Sequence, residues 1–162
     1  MRADDVDRVI EISRSLNLCL WSPMSILLEI EKRDSVMLTL SDNGVVKGFA
    51  AGRMVDPHSH SMELFNIGVL PAVQGTGLAQ ALLDEFVRRS LCCGARKILL
   101  EVRVSNARAI RFYEKNGFVT LGRRPRFYSD PDEDGFTMQL VLEASRRQIE
   151  LDKRRESRLP SG

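Results

Sequence analysis

The sequence predicts a mixed α/β domain, and three observations carry that expectation. Apolar residues recur at helical spacing in some stretches and in short strand-like runs in others, in the order helix, helix, three strands, helix, strand, helix, two strands. Asn43-Gly44 stands between two apolar runs, a hairpin signal because both turn residues must tolerate positive φ. Gly75 and Gly77 fall between a strand and a helix start. The order implies antiparallel pairing at first, then one strand–helix–strand crossover.

Each element has a local reason. Asp4 or Asp5 can cap a helix whose apolar face is Val6, Val9, Ile10 and Ser13. Ser22 before Pro23 marks a second helix start, an N-cap with Pro at the first helical position, running to about Ile30. Strands are expected over 36–40, 45–55 and, past the break at 57–61, 62–69. A helix over 77–92 is stopped by Gly94, and a strand follows over 97–102. Ser105 or Asn106 caps a short helix that ends at Asn116-Gly117. The chain then reads as a strand over 118–122, a polar loop over 123–135 and a last strand over 136–142. The domain is expected to span 1–142. The charged, apolar-poor stretch 143–162 reads as a C-terminal extension, helical and then disordered.

Composition narrows the function classes. A chain of 162 residues can bury one sizeable core. No apolar run approaches the ~18 residues of a spanning helix. Asp4, Asp5, Asp7 and Glu11 do not suit an ordinary signal or transit peptide, so a soluble, cytoplasmic protein with no membrane partner is expected. From Glu143 onward there are six Lys/Arg and four Asp/Glu, which leaves eighteen of each in the body. A neutral body argues against dedicated nucleic-acid binding. Cys19, Cys92 and Cys93 offer no CxxC, hence neither a disulfide framework nor a zinc knuckle, and the adjacent pair reads as packing near a helix end. His58 and His60 lack a Cys or carboxylate partner, so no metal is expected.

Two stretches can carry chemistry. In "LPAVQGTGLAQALL", from Leu70 to Leu83, Gly75 and Gly77 let backbone N–H groups turn toward one point with no Cβ in the way, and the helix start adds unpaired N–H groups. That makes an anion site of phosphate size, or a glycine-bearing loop with no ligand. A P-loop is excluded for want of Gly-Lys-Ser/Thr, and the dinucleotide fingerprint for want of a small residue at Gln80. In "ILLEVRVSNARAIRFYEKNGF", from Ile98 to Phe118, Glu101 interrupts an apolar strand and suits a general base, or else points to solvent. Tyr113, with Ile110 one turn before it, is a core tyrosine or an acid.

Taken together, "LFNIGVLPAVQGTGLAQALL", "LEVRVSNARAIRFYEKNGF" and "FYSDPDEDGFTMQL" resemble the GNAT superfamily of acetyl-CoA-dependent N-acetyltransferases. Within it they are similar to the RimI-like enzymes, which acetylate the N-terminal alanine of a small-subunit ribosomal protein. The resemblance covers about 3–142 and implies a twisted, mostly antiparallel sheet of six to seven strands, splayed at an acetyl-CoA site, with about four helices. It implies that Ile67, Gly68 and Val69 offer backbone N–H groups to the thioester and pantetheine arm. Gln74, Gly75, Thr76, Gly77, Leu78 and Ala79 fall on the family's diphosphate loop, with Gln80 beside them, and Asn106 falls on its CoA-contacting asparagine. Glu101 falls on its general base and Tyr113 on its general acid. Trp21-Ser22 and Phe127-Tyr128 fall on its substrate loops.

The implied partner is a protein or peptide N-terminus. Such acceptors are usually basic, and Glu63, Asp130, Asp132, Glu133 and Asp134 can form an acidic rim for one, or a solvated acidic loop. The sequence departs from the RimI-like pattern at three positions. Gly75 stands where Arg is usual, Leu20 where Pro is, and Phe127 where Tyr is. The resemblance also implies an apolar strand before the first helix, and Met1 lies almost at that helix start, so either the strand is nearly absent or the true start codon lies upstream. A same-fold alternative is a lysine or small-amine N-acetyltransferase, and one of a different class is a catalytically weak acyl-CoA-binding module.

Overall fold

A computed structural model describes residues 1–18 and 21–142. Cys19, Leu20 and the expected extension over 143–162 lie outside the described residues. The chain divides into two compact units, one over Met1–Ala95 and one from Arg96 onward.

The first unit begins with a 3-10 turn at Ala3–Asp5 and continues as α1 (Val6–Ser15) and α2 (Pro23–Ile30). Val6, Val9, Ile10 and Ser13 are buried, as their spacing predicts, and Ile12 joins them. Asp5 sits at the start of α1 without capping it. Its carboxylate instead accepts from the Arg2 backbone N–H at 2.8 Å and the Thr39 hydroxyl at 3.1 Å. Ser22 does cap α2, accepting from the Ser25 N–H at 3.0 Å, with Pro23 at the first helical position.

Strands β1 (Ser35–Asp42), β2 (Val45–Asp56) and β3 (Ser61–Val69) then form an antiparallel meander. Asn43 and Gly44, both at positive φ, make the two-residue turn between β1 and β2. Successive β2 residues face opposite sides. Phe49 and Ala51 join the core under α1 and α2. Gly48 and Gly52 meet Leu82 and Phe86 of α3 (Leu78–Cys92), so helices cover both faces of the meander.

The second unit holds β4 (Lys97–Arg103), α4 (Ala107–Lys115), β5 (Val119–Ser129) and β6 (Asp132–Val141). Asn106 caps α4 through its side chain, which accepts from the Ala109 N–H at 3.1 Å. β6 pairs antiparallel with both β4 and β5. On β4, Ile98, Leu100 and Val102 are buried and the alternate residues are not, which places Leu99, Glu101 and Arg103 on the other face.

The expected polar loop over 123–135 is corrected here. β5 runs on to Ser129, and β6 starts at Asp132 after the cis Asp130-Pro131 bond. β5 is exposed almost throughout, so it shows no buried alternation to betray it. Backbone pairing with β6 holds it, with bulges at Thr120/Gly122 and Arg124/Tyr128, and Pro125 is tolerated because the strand is an edge of this trio. The described residues thus contain six strands and four α-helices, with no strand before α1. No described helix is long and apolar enough to cross a membrane.

Glu29 ties α2 to the meander. It is only 5% exposed, and its carboxylate accepts from Lys32 at 2.8 Å, Arg53 at 3.1 Å and the Ser35 hydroxyl. Burial alone pushes this carboxyl up, but the hydrogen bonds from Lys32 and Ser35 and the Arg53 charge together hold it below its ordinary value. A depressed acid stabilises the folded form fully above its unfolded pKa of about 4.3 and loses that contribution as pH falls. Glu29→Gln should therefore lower stability near neutrality and flatten its decline below about pH 4.3, as followed by urea unfolding at stepped pH.

Candidate acetyltransferase site

In the first unit the glycine loop joins β3 to α3 through a 3-10 turn at Pro71–Val73. Gly75 has φ +82° and Gly77 φ +89°, and a Cβ built on either would meet nothing within 4 Å. Both glycines meet the demand of a positive φ, and their Cβ positions face open space. Gly77 is the N-cap of α3 and supplies no side chain, so no side-chain cap occupies the first N–H groups of that helix. The Gln74 side chain donates to the Val69 carbonyl at 3.3 Å, and the Thr76 hydroxyl to the Val73 carbonyl at 2.7 Å. Gln80 donates to Asp84 at 2.8 Å, inside α3. The loop is thus braced from within, with its backbone amides at Leu78 and Ala79 left to the helix dipole.

On β3 the three expected donors are not alike. The Leu70 N–H bonds to the Lys47 carbonyl of β2 at 2.8 Å. Antiparallel ladders alternate every two residues, so Gly68 also faces β2, while the N–H groups of Ile67 and Val69 point away from it. Gly68 has a different reason to be glycine: a Cβ there would run into the Leu16 side chain.

Trp21 packs on Phe65 with ring centroids 5.3 Å apart. The two line a groove of about 440 Å³ together with Ser25, Glu29, Lys32 and Arg53. Glu63 is half-buried on β3, directly across from Arg53 of β2. Phe65, Glu29 and Arg53 were not candidates from the sequence. Phe65 is two residues from Glu63 on the same face, a period-2 signal that pointed to it.

In the second unit Glu101 lies opposite Thr137 on β6. Its Oε1 accepts from the Thr137 hydroxyl at 2.8 Å and from Arg124 Nη1 at 3.0 Å. Its Oε2 is buried and has no hydrogen-bond partner among the described residues. The side chain is 13% exposed, so the solvent-facing alternative for Glu101 is set aside. Tyr113 is buried between Phe112 and Phe118, with ring centroids at 5.6 and 5.4 Å. Burial, and secondarily the nearby Tyr128, push its phenol above the ordinary value.

Asn106 is exposed, and its carbonyl oxygen is engaged as a helix cap. Tyr128 lies 4.2 Å under the Arg103 guanidinium and packs edge-on against Phe127 at 4.9 Å. Arg103 also binds Glu133 at 3.1 Å and the Asp130 carbonyl at 2.6 Å.

The acidic rim is largely spent on internal pairs. Asp132 binds Arg126, Glu133 binds Arg103 and the Ser105 N–H, and Asp134 binds Arg123 and the Arg126 N–H. The Ser105 side chain and N–H, and then Arg103, hold Glu133 below the ordinary carboxylate range, and the Arg126 N–H with Arg123 holds Asp134 below it. Cys92 and Cys93 are exposed at the end of α3, which corrects their reading as packing residues. Among the described residues no group of three or more His, Cys, Asp or Glu can hold a metal ion.

The sequence profile described as the Acetyltransferase (GNAT) family matches residues 7–118. The chain belongs to the GNAT acetyltransferase family. A Haemophilus influenzae protein named ribosomal protein bS18-alanine N-acetyltransferase is 33% identical over 131 residues, which are 81% of this chain and 86% of that one. The crystal structure of the ribosomal-protein-S18-alanine N-acetyltransferase from Escherichia coli superposes with a TM-score of 0.75 at 30% identity, covering 87% of this chain and 90% of that one. Ard1 from Thermoplasma volcanium superposes with a TM-score of 0.79 at 26% identity, covering 87% and 93%.

For this GNAT acetyltransferase the glycine loop makes a separate prediction. An L side chain at φ near +89° costs about 1–2 kcal/mol, whereas Asn tolerates that region. Gly77→Ala should lower the unfolding free energy by about 1 kcal/mol, and Gly77→Asn by less, in chemical denaturation. Equal losses would mean crowding rather than backbone strain.

Proposed function

We propose that the protein transfers acetyl from acetyl-CoA to the N-terminal α-amine of a protein, as the names of its relatives describe for ribosomal protein bS18. The observation that carries the reading is the Glu101 carboxylate, which has one oxygen held by two donors and the other buried with no partner.

The loop residues fit the donor. Two glycines at positive φ lead into a helix start without a side-chain cap, and no Cβ crowds the approach. Backbone amides over 74–80 would hold the diphosphate by charge-assisted hydrogen bonds and the helix dipole. With Gly75 in place of the usual arginine, those amides and the dipole carry the phosphate charge without a guanidinium. N–H groups of Ile67 and Val69 would receive the pantetheine arm and the thioester carbonyl, an oxyanion-type role. Acetyl-CoA, when bound, supplies the acyl group as a thioester. Asn106 would add a contact to the CoA arm through the side-chain amide nitrogen that its cap leaves aside.

Glu101 takes a proton from the acceptor ammonium, directly or through a water. The freed nitrogen forms a C–N bond to the acetyl carbonyl as the C–S bond breaks, and it sheds its second proton to solvent, from which Tyr113 is reprotonated after the step that follows. Tyr113 donates its hydrogen bond, and then its proton, to the departing sulfur. Burial makes this phenol a reluctant acid but keeps it protonated across the working pH range, so it is a dependable donor.

An α-amine is better matched to a single carboxylate base than a lysine is. Their ordinary pKa values of about 8.0 and 10.4 differ by about 2.4 units, an extra deprotonation cost of about 3.3 kcal/mol for lysine. Trp21 and Glu63 in the first unit, and Tyr128 in the second, are the residues proposed to contact the acceptor. The engagement of the hairpin carboxylates by arginines leaves a weaker basis for selecting basic peptides than their number suggests.

The test is intact-mass analysis of the protein with acetyl-CoA and a peptide that begins with alanine and carries internal lysines. We expect +42 Da on the α-amine, rapid turnover by the wild type, and a loss of at least about 100-fold for Glu101→Gln. Tyr113→Phe should fall less, because it removes a donor and not the base. Acetyl found only on lysine would move the reading to a lysine acetyltransferase. Binding of acetyl-CoA without transfer to any amine would reduce it to an acyl-CoA-binding module.

A further inference from the structure

We infer that Arg124 is a positioning residue that turns the Glu101 carboxylate so that Oε2, and not Oε1, receives the acceptor's proton. The inference rests on Glu101 being the base and goes beyond it by naming the atom and the residue that selects it.

A carboxylate oxygen has two lone-pair positions. On Oε1 both are taken, by Thr137 Oγ1 at 2.8 Å and Arg124 Nη1 at 3.0 Å. On Oε2 neither is, and that oxygen is buried. A buried polar atom without a partner is costly, and the cost is relieved when a proton or a donor arrives. The proton leaving the acceptor nitrogen therefore ends on Oε2 as an O–H bond forms there and an N–H bond breaks.

The hairpin is built to send this arginine, and not its neighbours, to Glu101. Arg123 is committed to Asp134 at 2.6 Å, and Arg126 to Asp132 at 3.0 Å. Arg124 sits at a bulge of β5, stacked 4.4 Å from the Phe127 ring, which steadies its planar head. Thr137 is fixed by register, directly opposite Glu101 on β6. Two donors from two strands thus hold one oxygen, and the carboxylate keeps one rotation. Arg124 is 57% exposed, so its pair with Glu101 is screened and adds little to stability. Its effect belongs to orientation, where small misplacements of a reacting group are expensive.

The experiment uses the full chain with acetyl-CoA and an alanine-starting peptide. Arg124→Gln should lower kcat by between about 10- and 100-fold with the KM for acetyl-CoA and the melting temperature unchanged. Arg124→Lys should recover part of that loss, and Thr137→Val should lose less than Arg124→Gln. Because the guanidinium head is exposed, millimolar guanidinium ion should restore turnover to Arg124→Ala. Wild-type turnover in the Arg124→Gln, Thr137→Val double variant, with Glu101→Gln inactive, overturns the positioning role and leaves the base in place. Loss of activity accompanied by a lower melting temperature, without recovery by lysine or guanidinium, overturns it as well. Wild-type turnover in Glu101→Gln overturns the base assignment instead.

Discussion

The pairing of β4 with β6 sets Glu101 opposite Thr137, and the chemistry of the second unit follows from that register. Side chains on a strand alternate between faces, so a slip of one residue would exchange the two sides of β4. Ile98, Leu100 and Val102 would leave the core, and Glu101 would enter it without a hydrogen-bond donor. The apolar face therefore locks the register, and the register delivers the carboxylate to Thr137 and Arg124. Core packing and the placement of this carboxylate are one constraint here.

The first unit differs in how its helices begin. Side-chain caps normally occupy the first N–H groups of a helix. α1 and α2 begin in carboxylate and hydroxyl company, and Ser22 caps α2. α3 begins on Gly77, at positive φ and with no side chain to offer. Thr76, one residue earlier, spends its hydroxyl on Val73, so the most obvious substitute cap is turned away. The chain's membership in the GNAT family supports the proposed reading of this helix start as the donor's diphosphate site.

Charge in the β5–β6 hairpin is organised rather than merely abundant. Asp132, Glu133 and Asp134 follow one another, and each holds a different arginine: Arg126, Arg103 and Arg123. Arg103 also binds the Asp130 carbonyl and stacks on Tyr128, which ties the hairpin turn to the end of β4. A run of acids that looks like a docking rim in one dimension is thus mostly a set of internal braces. The surface pairs add little stability singly, but together they give the hairpin a shape that an unpaired acidic loop would not hold.

By itself the sequence determined what short-range chemistry decides. The apolar faces of α1 and β4, the Ser22-Pro23 start, the Asn43-Gly44 turn and the glycines before α3 all rest on neighbours within a few residues, and each is found where the sequence places it. Glu101 and Tyr113 were legible because a polar group in an apolar run, and a tyrosine on an apolar helix face, are local anomalies. β5 was not legible past Gly122, since an exposed edge strand lacks buried alternation and is held by partners on another strand. Arg124 and Thr137 were missed for the same reason: they lie 23 and 36 residues from Glu101 in the chain and meet it only through strand register. Phe65, Glu29 and Arg53 likewise share a groove only after α2 has packed on the meander. Tertiary structure decided which carboxylates are paired and which oxygen is left alone, because hydrogen-bond partners distant in sequence are chosen by packing and not by propensity.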